Sequence, residues 1–108
     1  MIIHKKLVRD RIPEIIRERG AACEFRTLTD AEYREALRVK LSEEVREYLE
    51  SGELSELADI LEVVRALAKL GGHGEAELEA TRARKERERG AFEERVFLVC
   101  VDEEGPPK

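Results

Sequence analysis

Apolar positions along this chain follow two different periods. Leu37, Leu41, Val45, Tyr48 and Leu49 recur at three- and four-residue spacing, the mark of a helix with one apolar stripe. Leu54, Leu57, Ile60, Leu61, Val63, Val64, Leu67 and Ala68 repeat that spacing more densely. The pattern predicts a helix from the Thr29-x-x-Glu32 capping box to about Glu50. Ser51-Gly52 breaks it, and Ser51 is placed to cap the next helix, about Glu53 to Leu70. Gly71-Gly72-His73-Gly74 predicts a flexible connection, followed by a very polar helix from about Glu75 to Arg89 that stops at Gly90. Upstream, Asp10 predicts the cap of a short first helix through about Glu18, with Pro13 in its opening turn and Gly20 as its stop. Two runs carry the shorter period of strands. Cys23-Glu-Phe-Arg-Thr-Leu28 alternates weakly, and Arg95-Val-Phe-Leu-Val-Cys-Val101 is rich in β-branched and aromatic residues. The expected fold is mainly α: an antiparallel helical hairpin or bundle with a small two-stranded β element. Residues 1–102 would form the single domain and residues 103–108 a flexible tail.

Composition narrows the class. Of 108 residues, 42% are charged and 42% hydrophobic, with a net charge of -5. Interspersed charge on that much apolar content points to a folded, ion-paired surface and not to disorder. The chain has no Asn, Gln or Trp, a bias expected of a heat-adapted source or a GC-rich genome. No apolar stretch nears the ~20 residues of a membrane span, and the start lacks a signal-peptide apolar region. A cytoplasmic location and no membrane partner are expected. Cys23 and Cys100 form no CxxC pair, which argues against zinc and for apolar packing roles. A disulfide would require their segments to meet. The acidic balance makes nucleic acid an unlikely partner, although Arg82, Arg84, Lys85, Arg87 and Arg89 could line a basic stripe.

The acidic residues of the middle two helices carry the chemistry. They read Glu43-Glu44-x-x-Glu47 and Glu56-x-x-Asp59. With 21 Glu in the chain, about 0.7 matches to EExxE arise by chance, so orientation must decide. With Leu37 at zero on a helical wheel, Glu44 falls at about 340°, at the edge of the apolar sector, and Glu47 near 280°. Glu43 falls near 240°, on the far side. On the next helix, with Leu54 at zero, apolar residues occupy about 180° to 340°; Glu56 lies inside that arc near 200° and Asp59 beside it near 140°. If Ser51-Gly52 closes an antiparallel hairpin, Glu47 stands level with Glu56 and Glu44 with Asp59. Carboxylates ~5–6 Å apart repel by roughly 3 kcal/mol at an effective dielectric of ~20. A helix N-terminus returns only ~0.3–1 kcal/mol to Glu56. A cation is needed there. An all-carboxylate cage without His or Cys suits Mg²⁺ or Mn²⁺. The competing reading makes these surface glutamates paired with Arg46, Arg65 or Lys69.

The order EExxE then ExxD across a helical hairpin resembles the MazG-like, all-α nucleoside triphosphate pyrophosphohydrolases. The opening Lys6-Leu-Val-Arg-Asp10-Arg-Ile-Pro13-Glu-Ile-Ile16 is similar to the KLVRDKIPEII start of a small "house-cleaning" branch related to phosphoribosyl-ATP pyrophosphohydrolase. Glu56-Leu-Ala-Asp59-Ile-Leu-Glu62-Val-Val and Lys85-x-x-x-Arg89-Gly90-x-Phe92 match that branch too. Arg11 stands where it has lysine, and Ala91 replaces the second glycine of RGGF. The resemblance implies metal ligation by Glu44, Glu47, Glu56 and Asp59, and hydrolysis of a nucleoside triphosphate to monophosphate and pyrophosphate.

In that chemistry Glu43, if not a ligand, is the first choice to accept the proton of the attacking water. Lys6, Arg9, Lys85 and Arg89, the cations inside the family-like motifs, are expected to contact phosphates. Lys40 is spaced to brace Glu44. Tyr48 and Phe92 are expected to pack in the core in preference to stacking on a base. The apolar arc of the 53–70 helix, too wide for so short a chain to cover, predicts a homodimer or higher homo-oligomer. Two other readings fit parts of the pattern: a non-catalytic helical dimerisation or regulatory module, and nucleic-acid binding through the basic fourth helix.

Overall fold

A computed structural model of the chain describes residues 1–102. Four helices occur in the predicted order: α1 (Ile12–Glu18), α2 (Asp30–Ser51), α3 (Leu54–Leu70) and α4 (Glu75–Arg89). The longest, α2, starts from the expected capping box. Thr29 Oγ1 accepts the Glu32 N–H at 3.3 Å, and the Glu32 carboxylate accepts the Thr29 N–H at 3.0 Å. Each bond satisfies a backbone donor that the first helical turn leaves free.

Gly52 ends α2 in the left-handed conformation, φ 69° and ψ 13°, its N–H reaching Tyr48 O at 2.7 Å. Side chains with a Cβ rarely adopt that geometry, which is why glycine closes the helix here. Ser51 still lies within α2, and Glu53, not Ser51, is the N-cap of α3. The Ser51 hydroxyl instead accepts the Glu53 N–H at 3.2 Å, bridging the turn. The connection is so short that α3 must run back along α2, and those two helices make the main packing of the molecule. Among the described residues, the buried apolar side chains are Leu37 of α2 and Val63 of α3. Helix α4 packs on α3, whereas α1 packs on no other helix. Asp10 does not cap α1; the N-cap is Arg11, without a side-chain bond, and Pro13 supplies the preset opening turn.

The two-stranded β element is absent among the described residues. Extended chain becomes a strand only when a neighbour completes its ladder, and neither run has one. Phe25 stands in the first run under the Arg17 guanidinium, 5.3 Å from its ring centre. Arg95 opens the second at φ 58°, in the left-handed region, and Val96 to Val99 are largely exposed. Phe92 is 97% exposed, so it is no core residue. Cys100 is exposed as well, which overturns its packing role; Cys23 is half-buried, and both thiols are free. The tail expected over 103–108 lies outside the described residues.

No helix among the described residues is long and apolar enough to cross a membrane. The chain measures 62 × 32 × 22 Å with a radius of gyration of 18.6 Å, against about 13 Å for a compact domain of this length.

Candidate metal centre

The tight turn sets the register of the hairpin, and the register brings acids together. One carboxylate oxygen each from Glu44, Glu56 and Asp59 lie within 4.8 Å of one another. Glu44 comes from α2; Glu56 and Asp59 stand one turn apart on α3. Glu44 is 5% exposed, the one buried charged side chain among the described residues. It is buried because its wheel position faces the seam that also buries Leu37.

Glu44 is held from one side only. Lys40, one turn earlier, places Nζ 3.2 Å from Glu44 Oε1 and 3.8 Å from Glu43 Oε2. The other oxygen, Oε2, is buried and has no hydrogen-bond partner. Leaving such an acceptor unmade costs about 1–3 kcal/mol, more when it is charged. Across the seam, Arg9 donates from Nη2 to Asp59 Oδ1 at 2.6 Å and has Nη1 4.0 Å from Glu62 Oε1.

Glu47 falls outside the three-carboxylate set, on the exposed side of α2. It nonetheless senses the cluster. The Glu44 charge beside it, helped by the Glu56 charge, raises the Glu47 carboxyl above its ordinary range; Lys40 opposes this. Glu47 is therefore within electrostatic reach of both helices' acids. Two cations, Lys40 and Arg9, face four carboxylates, and the buried oxygen is served by neither.

The donor set fits a hard divalent cation. It is all oxygen, all carboxylate and drawn from two rigid elements, as Mg²⁺ or Mn²⁺ require. The orphaned Glu44 Oε2 is the acceptor that such a cation would satisfy.

The remaining expected site residues are less concentrated. Glu43 is half-buried beside Lys40. Lys6, Lys85 and Arg89 are exposed and form no ion pair among the described residues; nothing joins them to the acids. Arg9 is the cation that the fold delivers to the cluster. In the basic stripe of α4, Arg82 is tied to Glu79 at 2.6 Å and lies 3.7 Å from Glu86, which takes one of the five cations away from a nucleic-acid surface.

An uncharacterized protein of Mycolicibacterium smegmatis is 60% identical over 42 residues, 39% of this chain and 43% of that protein. The chain thus spans less than half the length of this curated relative. No family model matches the chain, and no solved structure matches it.

Helical periodicity found the three clustered acids, because α2 and α3 are regular. It missed the Arg9–Asp59 pair, whose members are fifty residues apart on unlike elements. No periodic signal links such positions.

Proposed function

We propose that this chain is a Mg²⁺- or Mn²⁺-dependent nucleoside triphosphate pyrophosphohydrolase of the MazG-like kind, releasing nucleoside monophosphate and pyrophosphate. The observation that carries the reading is the buried, unpartnered Glu44 Oε2 inside a three-carboxylate set. A solvated acidic face leaves no such atom, since each of its oxygens reaches water. The motifs around it support the substrate class: the KLVRD-type opening, ExxD on α3, and Lys85-x-x-x-Arg89-Gly90 at the end of α4.

Glu44, Glu56 and Asp59 would hold the ion, with Glu47 as the fourth carboxylate. Bound there, Mg²⁺ would neutralise the triphosphate and lower the pKa of the attacking water. Glu43, whose Oε2 lies 3.8 Å from Lys40 Nζ, would take the proton of that water. Arg9 moves from Asp59 to a phosphate oxygen when substrate arrives, trading one anion for another. Lys6, Lys85 and Arg89 supply further positive charge around the departing pyrophosphate. The protein works in the cytoplasm on free nucleotides, as a homo-oligomer.

The test is pyrophosphate release from a panel of standard and modified nucleoside triphosphates, in millimolar Mg²⁺ and then in EDTA. Metal-dependent release from at least one member, lost in Glu44→Gln, is expected. No release from any nucleotide by folded wild-type protein rejects the proposal.

A further inference from the structure

Helix α1 packs on no other helix, but the chain that follows is turned back against it. Gly20 takes φ 87°, a left-handed conformation open to glycine. Its N–H reaches Arg17 O at 2.9 Å, and the Ala21 N–H reaches Ile16 O at 3.2 Å. These paired bonds close a helix and reverse the backbone. Cys23 Sγ then lies 3.8 Å from Pro13 O, and Phe25 comes under the Arg17 guanidinium. Between α1 and the returning segment lies a cleft of about 490 Å³, lined by Asp10, Pro13, Glu14, Arg17, Glu18 and Phe25. Its size is within the ~300–1,000 Å³ of small-molecule sites.

The lining has a definite chemistry. Phe25 is 61% exposed, so an aromatic ring is held open and fills no core. Arg17 covers one face of it and keeps the ring in place by cation–π attraction. A ring and a planar guanidinium together receive a flat π system, as in sites that stack nucleobases. Glu14 is engaged by Arg11 at 2.7 Å, whereas Asp10 and Glu18 form no ion pair among the described residues. A carboxylate only accepts hydrogen bonds, so the flat group must carry N–H donors at its edge. Position ties this cleft to the acidic cluster. Asp10 lines it, and the adjacent Arg9 bonds Asp59 Oδ1 at 2.6 Å. From there α1 rises about 10 Å over its seven residues towards Glu18. The cleft between α3 and α4 has no aromatic lining, and its arginines are tied to Glu75 and Glu79 at 2.7 and 2.6 Å.

We propose that the α1 cleft holds the base of the nucleotide and selects bases with an exocyclic amino group: cytosine, adenine and guanine over uracil, thymine and hypoxanthine. The inference rests on the proposed hydrolysis for its triphosphate end and names the substrates which that site accepts. Phe25 stacks on the base, and Glu18 accepts an amino N–H. Asp10, at the Arg9 end, meets the sugar hydroxyls, which also donate. A uracil edge offers a carbonyl oxygen where cytosine has its amino group, and hypoxanthine lacks the 2-amino group of guanine. Each leaves the carboxylate without its donor. The acids of the cleft also repel the triphosphate, which keeps the phosphates at the Arg9 end beside the cluster.

The experiment is calorimetric titration of cytidine and of uridine into the full chain in EDTA. These probes carry no phosphate and need no metal, so they read the cleft alone. Wild type is expected to bind cytidine about tenfold tighter than uridine. Glu18→Gln, whose amide donates as well as accepts, should bring the two within about twofold. Both nucleosides meet the same protein, so this ratio is indifferent to any loss of folded fraction. Phe25→Ala should weaken both about tenfold, and Phe25→Tyr should restore them. Pyrophosphate release from CTP and UTP should show the same preference in kcat/KM. Equal binding of cytidine and uridine by wild type overturns the inference. So does binding of neither at millimolar concentration, or a Phe25→Ala variant that binds both as wild type does. A cytidine preference in a protein that releases no pyrophosphate rejects the proposed hydrolysis alone. Release from CTP and UTP at equal kcat/KM rejects the base selection alone.

Discussion

Arg9 and Asp59, fifty residues apart in sequence, meet at 2.6 Å across the gap between the N-terminal segment and α3. The pair is half-exposed on both sides, so its own contribution to stability is small, ~1 kcal/mol at most. Its weight lies in what it competes with. Asp59 cannot give the same oxygen fully to Arg9 and to a metal ion. Replacing Arg9 with Ala is therefore expected to tighten Mn²⁺ binding in the absence of nucleotide, by about twofold to tenfold. It should also weaken nucleotide binding. Calorimetric titrations of Mn²⁺ alone, then of a non-hydrolysable triphosphate analogue, check both signs. Weaker Mn²⁺ binding in the variant would make Arg9 a support of the acidic cluster instead of a rival to its cation.

Metal is expected to stabilise the fold. A ligand bound only by the native state adds RT ln(1 + [L]/Kd), about 2.7 kcal/mol at a hundredfold excess over Kd. Tm should rise with millimolar Mg²⁺ or Mn²⁺ and fall again with EDTA. Glu44→Gln should abolish the response, since the orphaned oxygen belongs to this residue. A melting curve indifferent to both cations would count heavily against the centre.

Glu56→Gln is expected to move stability and turnover in opposite directions. Glu56 is half-buried on α3 and within 4.8 Å of the acids of Glu44 and Asp59. Gln keeps its volume and removes one of three crowded charges, which should stabilise the metal-free protein by about 1–2 kcal/mol. Pyrophosphate release should fall about 10²-fold or more with the loss of an anionic ligand. A glutamate serving only as a cation's structural partner predicts lost stability and near-normal turnover. Glu43→Gln, outside the set, should leave denaturation midpoints nearly unchanged.

Acid should weaken the start of α2 only below about pH 4.5. The Arg26 guanidinium and the Thr29 N–H hold the Glu32 carboxyl down at about 2 from 4.5. A depressed folded-state value means the unfolded chain binds the proton more readily. The contribution of Glu32 is therefore complete above pH 4.5 and lost as pH falls towards about 2. Amide exchange at Glu32 and Tyr33 should accelerate over that window, and Glu32→Gln should remove the pH dependence while leaving α2 frayed at neutral pH. Glu47 has the opposite sign. Its raised value favours the protonated folded state, so its repulsion weighs against the metal-free fold once pH rises past that value.

Much of the hairpin was legible because its determinants are local. Thr29 and Glu32 name the start of α2, Gly52 its end, and the phases of Glu44, Glu56 and Asp59 follow from counting at 100° per residue. Residues 23–28 and 95–101 misled for the complementary reason. β-branched and aromatic content reports fitness for a ladder, while the ladder itself depends on a neighbour found elsewhere. Phe92 was misplaced similarly: an aromatic ring predicts burial only where some element arrives to cover it. Capping residues near the helix starts were ambiguous by one or two positions. Asp10 and Ser51 have the right chemistry, yet Arg11 and Glu53 hold the N-cap positions.

The turn at Gly52 has a consequence for how this chain tolerates genetic change. Glu44 and Asp59 meet because they lie equal distances from that turn along two helices. The centre is thus specified by a length as much as by residue identity. Substitutions at outward positions between Glu47 and Glu56 leave the count intact. A single codon gained or lost within α2 between Glu47 and Ser51 turns one part of the helix against the other by about 100° and shifts it about 1.5 Å along the axis. Glu44 would then leave the seam while every carboxylate remained in the sequence. Among mutations in this span, frame-preserving insertions and deletions should therefore be far more damaging than exchanges of one residue for another.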